Sequence, residues 1–269
     1  MNLKRMQIRF KWGAPAMEPR FSCTACGKCC HGWLPLTLKD AVAHAGRFPL
    51  AMVWTPVRSN AKSYDLATRL GQTVRLPNRK TVAVLVQPTA YLPPSYPCPE
   101  LRADNLCGIH ADKPSRCRTM PFYPYREEKD QADLLIPRKG WQCDVSAAAP
   151  VVYSNHGILD RADFDRERGE LLEQAPVMRA YVDYILKYMP WTLDELAKLA
   201  AKPTGGNLVT SLSSFLTATR RPDAKALAAA QAPLMHALAE RTRNDPALAD
   251  YHRNYSGWAK EMDSLSRRP

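Results

Sequence analysis

The chain is 269 residues long, 45% hydrophobic and 24% charged, with a formal net charge of +12. That length holds one large domain or two small ones and buries a sizeable core, which excludes a minimal module that folds only around its metal. Residues 1–12 carry charges throughout without the apolar stretch of a secretory leader, and no segment approaches the roughly 18 uncharged apolar residues of a membrane span, so the expected address is the cytoplasm, where thiols stay reduced.

The basic residues are dispersed in short pairs such as Arg138 and Lys139, Arg220 and Arg221, Arg241 and Arg243. No aromatic RNA-stacking motif accompanies them. The charge reads as a solvated basic surface, and nucleic acid is not an expected partner.

In chain order, Ile8–Trp12 alternates apolar and basic residues as a half-buried strand does. Thr37-Leu-Lys-Asp40 has the form of a capping box opening a helix to about Arg47. Thr73–Leu76 and Thr81–Gln87 predict two strands, with Pro77-Asn78 turning between them. Asp133–Ile136 predicts one more strand. Beyond residue 150 the pattern turns helical. Ala162–Met189 has helical apolar spacing, with Pro176 expected to break or kink it. Thr192-Leu-Asp-Glu195 reads as a second capping box, feeding a helix to Ala201. Val209–Thr219, Asp223–Arg243 and Pro246–Ser264 predict three further helices.

All eight cysteines and 16 of the 23 prolines lie at or before residue 150. The expected class is therefore α+β. A proline-rich, cysteine-clustered region, residues 1–150, packs on a helical region, residues 151–265, as two domains or one fused unit.

Four cysteines fall in eight residues, Cys23-Thr-Ala-Cys26-Gly-Lys-Cys29-Cys30; the others are Cys98, Cys107, Cys117 and Cys143. Thiols this dense in one short loop cannot all pair as disulfides, but they can converge on a metal. The triplet Cys23-x2-Cys26-x2-Cys29 has the spacing of bacterial ferredoxins, which close a cubane with a remote cysteine often followed by proline; Cys98-Pro99 has that form. Cys30 adjoins Cys29 and suits a second metal or a bridging role. Four plus four cysteines supply two four-coordinate sites or one multinuclear cluster. The triplet spacing favours an iron–sulfur cluster of the 4Fe–4S type, with zinc as the alternative.

Lys28, Arg116 and Arg118 flank the sulfurs and offset thiolate charge. His31 and His110 read as hydrogen-bonding neighbours that could also ligate. Trp33, Trp54, Trp141, Tyr91, Phe122, Tyr123 and Tyr125 are expected to pack around the centre and exclude water. Glu127-Glu128 and Asp163/Asp165 read as solvated faces.

The pattern resembles the YkgJ-type cysteine-cluster family of zinc- or iron-chelating domains. The resemblance rests on Cys23-Thr-Ala-Cys-Gly-Lys-Cys-Cys30, Leu106-Cys-Gly-Ile-His110 and Lys113-Pro-Ser-Arg-Cys-Arg118, and covers roughly residues 20–145. His110 stands where the family commonly has tyrosine, and Lys113 where it has arginine. The resemblance implies bound metal ions as partners. Flagellin lysine-N-methylases carry a similar cluster, which implies an iron–sulfur site and a protein substrate. Three roles follow as expectations: a metal-binding protein of unassigned reaction, an iron–sulfur enzyme that modifies protein, and a cytoplasmic metal carrier.

Overall fold

The computed structural model describes residues 18–268; the expected strand Ile8–Trp12 lies outside them. The first half gives β1 (Leu34–Pro35), α1 (Leu38–Ala43), β2 (Leu50–Arg58), α2 (Tyr64–Leu70), β3 (Gln72–Arg75), β4 (Thr81–Ala90) and the short α3 (Ser115–Thr119). The second gives β5 (Tyr153–Ser154), β6 (Gly157–Ile158), α4 (Ala162–Tyr188), α5 (Trp191–Ala201), β7 (Leu208–Ser211), α6 (Leu212–Thr219), α7 (Ala224–Thr242) and α8 (Ala249–Ser266). The class is α+β.

The sheet is antiparallel throughout and centred on β4. This strand pairs with β2 over their whole length, from Leu50 opposite Ala90 to Arg58 opposite Val82. Its other edge is shared end to end by β3 and β1. β7 completes the sheet on the free edge of β2. Both long strands are near-continuous apolar runs, as strands covered on both faces must be. On one face Val82, Val84, Val86, Met52 and Trp54 meet α4 through Met178, Tyr181 and Ile185, and α6 through Phe215. On the other, Ala83 and Leu85 meet Leu66, Ala67 and Leu70 of α2, together with Tyr125 and Leu171. Cys98 and Ile109 pack against the first core, whereas Tyr125, beyond Cys117, packs on the second face. Residues from both halves of the chain build the sheet and the main core.

Local chemistry explains the ends of the elements. Thr37 caps α1, its Oγ1 accepting from Asp40 N at 3.1 Å, as the capping box predicts. The turn before β4 closes with Leu76 N donating to Lys80 O at 2.8 Å. Asn155 and His156, at φ +48° and +61°, form the two-residue turn of the β5–β6 hairpin, a shape that matches strand twist.

Four expectations change. Asp133–Ile136 is no strand: Ala132–Leu135 forms a 3-10 turn, with no strand beside it to pair. Val209–Ser211 is strand and not helix, because Val209 and Thr210 find the open edge of β2 before Ser211 caps α6. Of the break or kink expected at Pro176, the break does not occur: α4 runs through it for 27 residues. Pro176 and Leu172 face solvent, so water can satisfy the freed carbonyl. Thr192 caps nothing: α5 begins at Trp191, and the Thr192 hydroxyl is buried without a partner. Among the described residues no helix is long and apolar enough to cross a membrane.

Candidate metal centre

All eight cysteines are free thiols, Cys23 and Cys29 exposed and the other six half-buried. Four chain segments bring them together. The first pairing joins the thiol loop to the segment before β5. Ser22 N donates to Asp144 O at 2.8 Å and Asp144 N to Ser22 O at 3.0 Å. Thr24 Oγ1 also donates to Gln142 O at 2.9 Å. Cys23 and Cys26 are thereby set beside Cys143. Burial pushes the Cys143 thiol up, and Cys26, Cys23 and Cys29 add to that push.

The second pairing starts from Cys30. Cys98 N donates to Cys30 O at 2.8 Å, and His31 pairs with Pro97. The chain after Cys98 folds back on itself: Leu101 pairs with Cys107, and Gly108 N donates to Glu100 O at 2.7 Å. Asn105, at φ +65°, makes the bend. Cys117 arrives on α3. Contact between the Cys29 and Cys30 sulfurs, 3.9 Å apart, lowers the Cys30 thiol. Burial opposes this, as do Cys117, Cys98 and Cys107. Burial raises Cys117 to about 12; Cys98, Cys107 and Cys29 add to this and Arg116 opposes it. The thiol loop is thus paired with the Cys143 segment through Ser22 and Asp144 and with the Cys98 segment through Cys30, and the Cys29 thiol bears on Cys143 and on Cys117 alike.

The loop backbone is shaped for this. Ala25 and Gly27 take φ of +54° and +71°, the left-handed conformation of a tight loop. Ala25 N donates to Cys23 Sγ at 3.4 Å. Backbone N–H groups of Gln142 and Lys28 hold the Cys26 thiol below its ordinary value. A Cβ on Gly27 would come 3.0 Å from Asn105 Oδ1, so the thiol loop and the Cys98–Cys107 bend touch at this point.

Helix α3 is fixed from beneath. Ser115 N donates to Asp40 Oδ2 at 2.9 Å, and Ser115 Oγ to Glu170 Oε2 at 3.0 Å. Arg116 is buried against Glu167 of α4, Nη1 to Oε1 at 3.5 Å, and also donates to Phe122 O. Arg118 does not turn toward sulfur; it donates to Lys113 O at 3.1 Å and to Ala111 O. The buried acid partner, Glu167, carried no signal in the sequence beyond its place on a helix.

The aromatic residues divide. Tyr91 stacks on Tyr251 and packs against Tyr255 and Trp258 of α8 and against Trp33, and Trp33 Nε1 donates to Tyr251 OH at 2.8 Å. Trp54 packs on Tyr181 in the main core and not around the sulfurs. Trp141 is half-buried at the mouth of the thiol loop, beside exposed His31. His110 is exposed. Glu128 is not a free solvated face: it accepts from Ile158 N at 2.7 Å and pairs with Arg161.

Among the described residues no three histidine, cysteine or acidic side chains already enclose a common point, so the sulfurs are gathered but not closed into a cage. The donor set still fits a soft metal: eight free thiols and no disulfide, the ligand type that tetrahedral zinc and iron–sulfur clusters take. No curated protein and no solved structure matches the chain. Residues 22–136, which hold every cysteine except Cys143, match the CxxCxxCC family, described as "Putative zinc- or iron-chelating domain".

Proposed function

We propose that the protein binds metal at two adjacent four-cysteine centres. Cys23, Cys26, Cys29 and Cys143 form the outer set, and Cys30, Cys98, Cys107 and Cys117 the inner set. One observation carries the division: backbone pairing sets Ser22 against Asp144, and Cys30 against Cys98. The ferredoxin-like triplet makes the outer set suited to a 4Fe–4S cluster; four-thiolate zinc is the alternative for either set. An iron–sulfur cluster supplies one-electron redox chemistry, whereas zinc supplies rigidity or a transferable cargo. The protein's own contribution is to gather the thiols and offer backbone N–H groups to sulfur. The exposure of Cys23 and Cys29 favours metal transfer as the second reading.

Purification without oxygen, followed by iron, zinc and sulfide analysis and a visible spectrum, tests this. A broad band near about 400 nm with iron and sulfide supports the cluster. Stoichiometric zinc without sulfide replaces it. Cys143→Ser and Cys98→Ser should each lose one set's metal and keep the other's. Loss of all metal in either variant would mean a single multinuclear centre.

A further inference from the structure

Two shallow clefts, both widely open to solvent, lie among the described residues. One, of 490 Å³, lies at the end of α8 between Lys260, Asp263 and Arg267. It is of mixed charge and remote in sequence from every cysteine. The other, of 340 Å³, is lined by Lys28, His31, Lys139, Gly140 and Trp141. Its walls are the two segments that carry the outer cysteines. Lys28 stands between Cys26 and Cys29, His31 follows Cys30, and Lys139–Trp141 ends two residues before Cys143.

The lining has one sign of charge. It contains two ammonium groups and an imidazole, and no carboxylate. The lysines that form ion pairs among the described residues, Lys39 and Lys198, do so elsewhere. The walls are also shaped. Gly140 takes φ +86°, and a Cβ there would meet nothing within 4 Å, so this glycine serves the turn and leaves the cleft open. Trp141 N donates to Arg138 O at 2.9 Å, and the Arg138 guanidinium lies 5.3 Å from the indole ring. The indole is held as a flat wall next to two lysines.

We propose that this cleft binds a small phosphate monoester, its phosphate between Lys28 and Lys139 and its body against Trp141. Two ammonium groups match a dianionic head, lysine binds phosphate as a point charge, and an indole gives a flat body a surface to lie on. The inference deepens the metal-binding reading, because it places a ligand site beside the outer centre. It differs from a counter-charge role, in which the same lysines serve only to balance thiolates.

The test is a titration of the metal-loaded protein with adenosine monophosphate, inorganic phosphate and an oligoglutamate peptide, read by tryptophan fluorescence and repeated in Lys28→Ala, Lys139→Ala and Trp141→Phe. Metal per chain is measured in every sample. Saturable quenching by the nucleotide is expected, weaker for inorganic phosphate, with affinity falling about tenfold in each lysine variant, the worth of one charged contact, and metal content unchanged. Loss of the quenching signal in Trp141→Phe assigns it to this cleft. Absence of saturable binding, or equal binding in the lysine variants, overturns the proposal. So does binding of the peptide alone, which would mark an acidic-polypeptide surface. Loss of metal in step with binding overturns it in favour of the counter-charge role. A native protein without metal would sink the metal reading, while the titration still reports on the anion.

Discussion

Arg116 and Glu167 meet at 3.5 Å with 4% and 2% of their side chains exposed, one residue before Cys117. Glu167 Oε2 and Arg116 Nη1 have no hydrogen-bond partner among the described residues. A buried pair this incompletely satisfied contributes orientation more than stability; here it fixes which way α3 faces. Removing one partner strands the other charge. Glu167→Ala should therefore cost about 3–5 kcal/mol in urea unfolding, and Arg116→Met combined with Glu167→Leu should recover most of it. A single-variant loss below about 1 kcal/mol would mean that the pair is solvated and does not hold α3.

The thiols should differ in reactivity once metal is removed under reducing conditions. Only the thiolate is alkylated. Cys26 is held below its ordinary value of 9.0 by the N–H groups of Gln142 and Lys28, whereas burial raises Cys117 to about 12. At pH 8 iodoacetamide should modify Cys26 well before Cys117, read by peptide mass spectrometry. Equal rates would show that the loop loses its shape with its metal.

The sequence made the ligand types legible but not their partition. Thiol density pointed to metal, and the triplet spacing to a cluster. Yet Cys98 looked like the triplet's fourth ligand because proline follows it. The Ser22–Asp144 pairing also brings the Cys143 segment to the thiol loop, and that contact spans more than a hundred residues and leaves no local trace. The same holds for the fold. Capping at Thr37 and the β3–β4 hairpin are local, and both appear as expected. β2 and β7 were missed because a short apolar run has no period that separates strand from helix. Gln231 is the clearest case: within an alanine-rich helix it looks ordinary. Buried at 0% exposure, it accepts from Leu50 N at 2.7 Å and donates to Phe48 O at 2.8 Å. Gln231→Met should cost about 2–3 kcal/mol in thermal or urea unfolding, since it leaves a buried N–H and buried carbonyls unpaired. A neutral result would mean that water takes the amide's place.

Gly27 should be intolerant of a side chain for two independent reasons. Its φ of +71° disfavours any L-residue, and a Cβ would press Asn105 Oδ1 at 3.0 Å. Gly27→Ala should cost about 1–2 kcal/mol and, because both cysteine segments meet there, speed metal release to a chelator. Gly46→Ala is the control: nothing lies within 4 Å of its added Cβ. Equal metal retention in the two variants would separate the loop's shape from its binding.

Glu128 should give the fold an acid-side sensitivity. Burial pushes its carboxyl up, but the Arg161 guanidinium and Ile158 N–H outweigh that and hold it below its ordinary 4.5. A carboxylate depressed in the folded state contributes stability above the unfolded value, and that contribution is lost as pH falls through the folded one. The group clamps the β5–β6 hairpin, with Tyr153 OH donating to Glu128 O at 2.8 Å. Unfolding followed from pH 7 down to below 4 should therefore show wild type losing about 1 kcal/mol more than Glu128→Gln, with the two converging at the acid end. Parallel curves would mean that the clamp is carried by the Glu128 backbone and not by its charge.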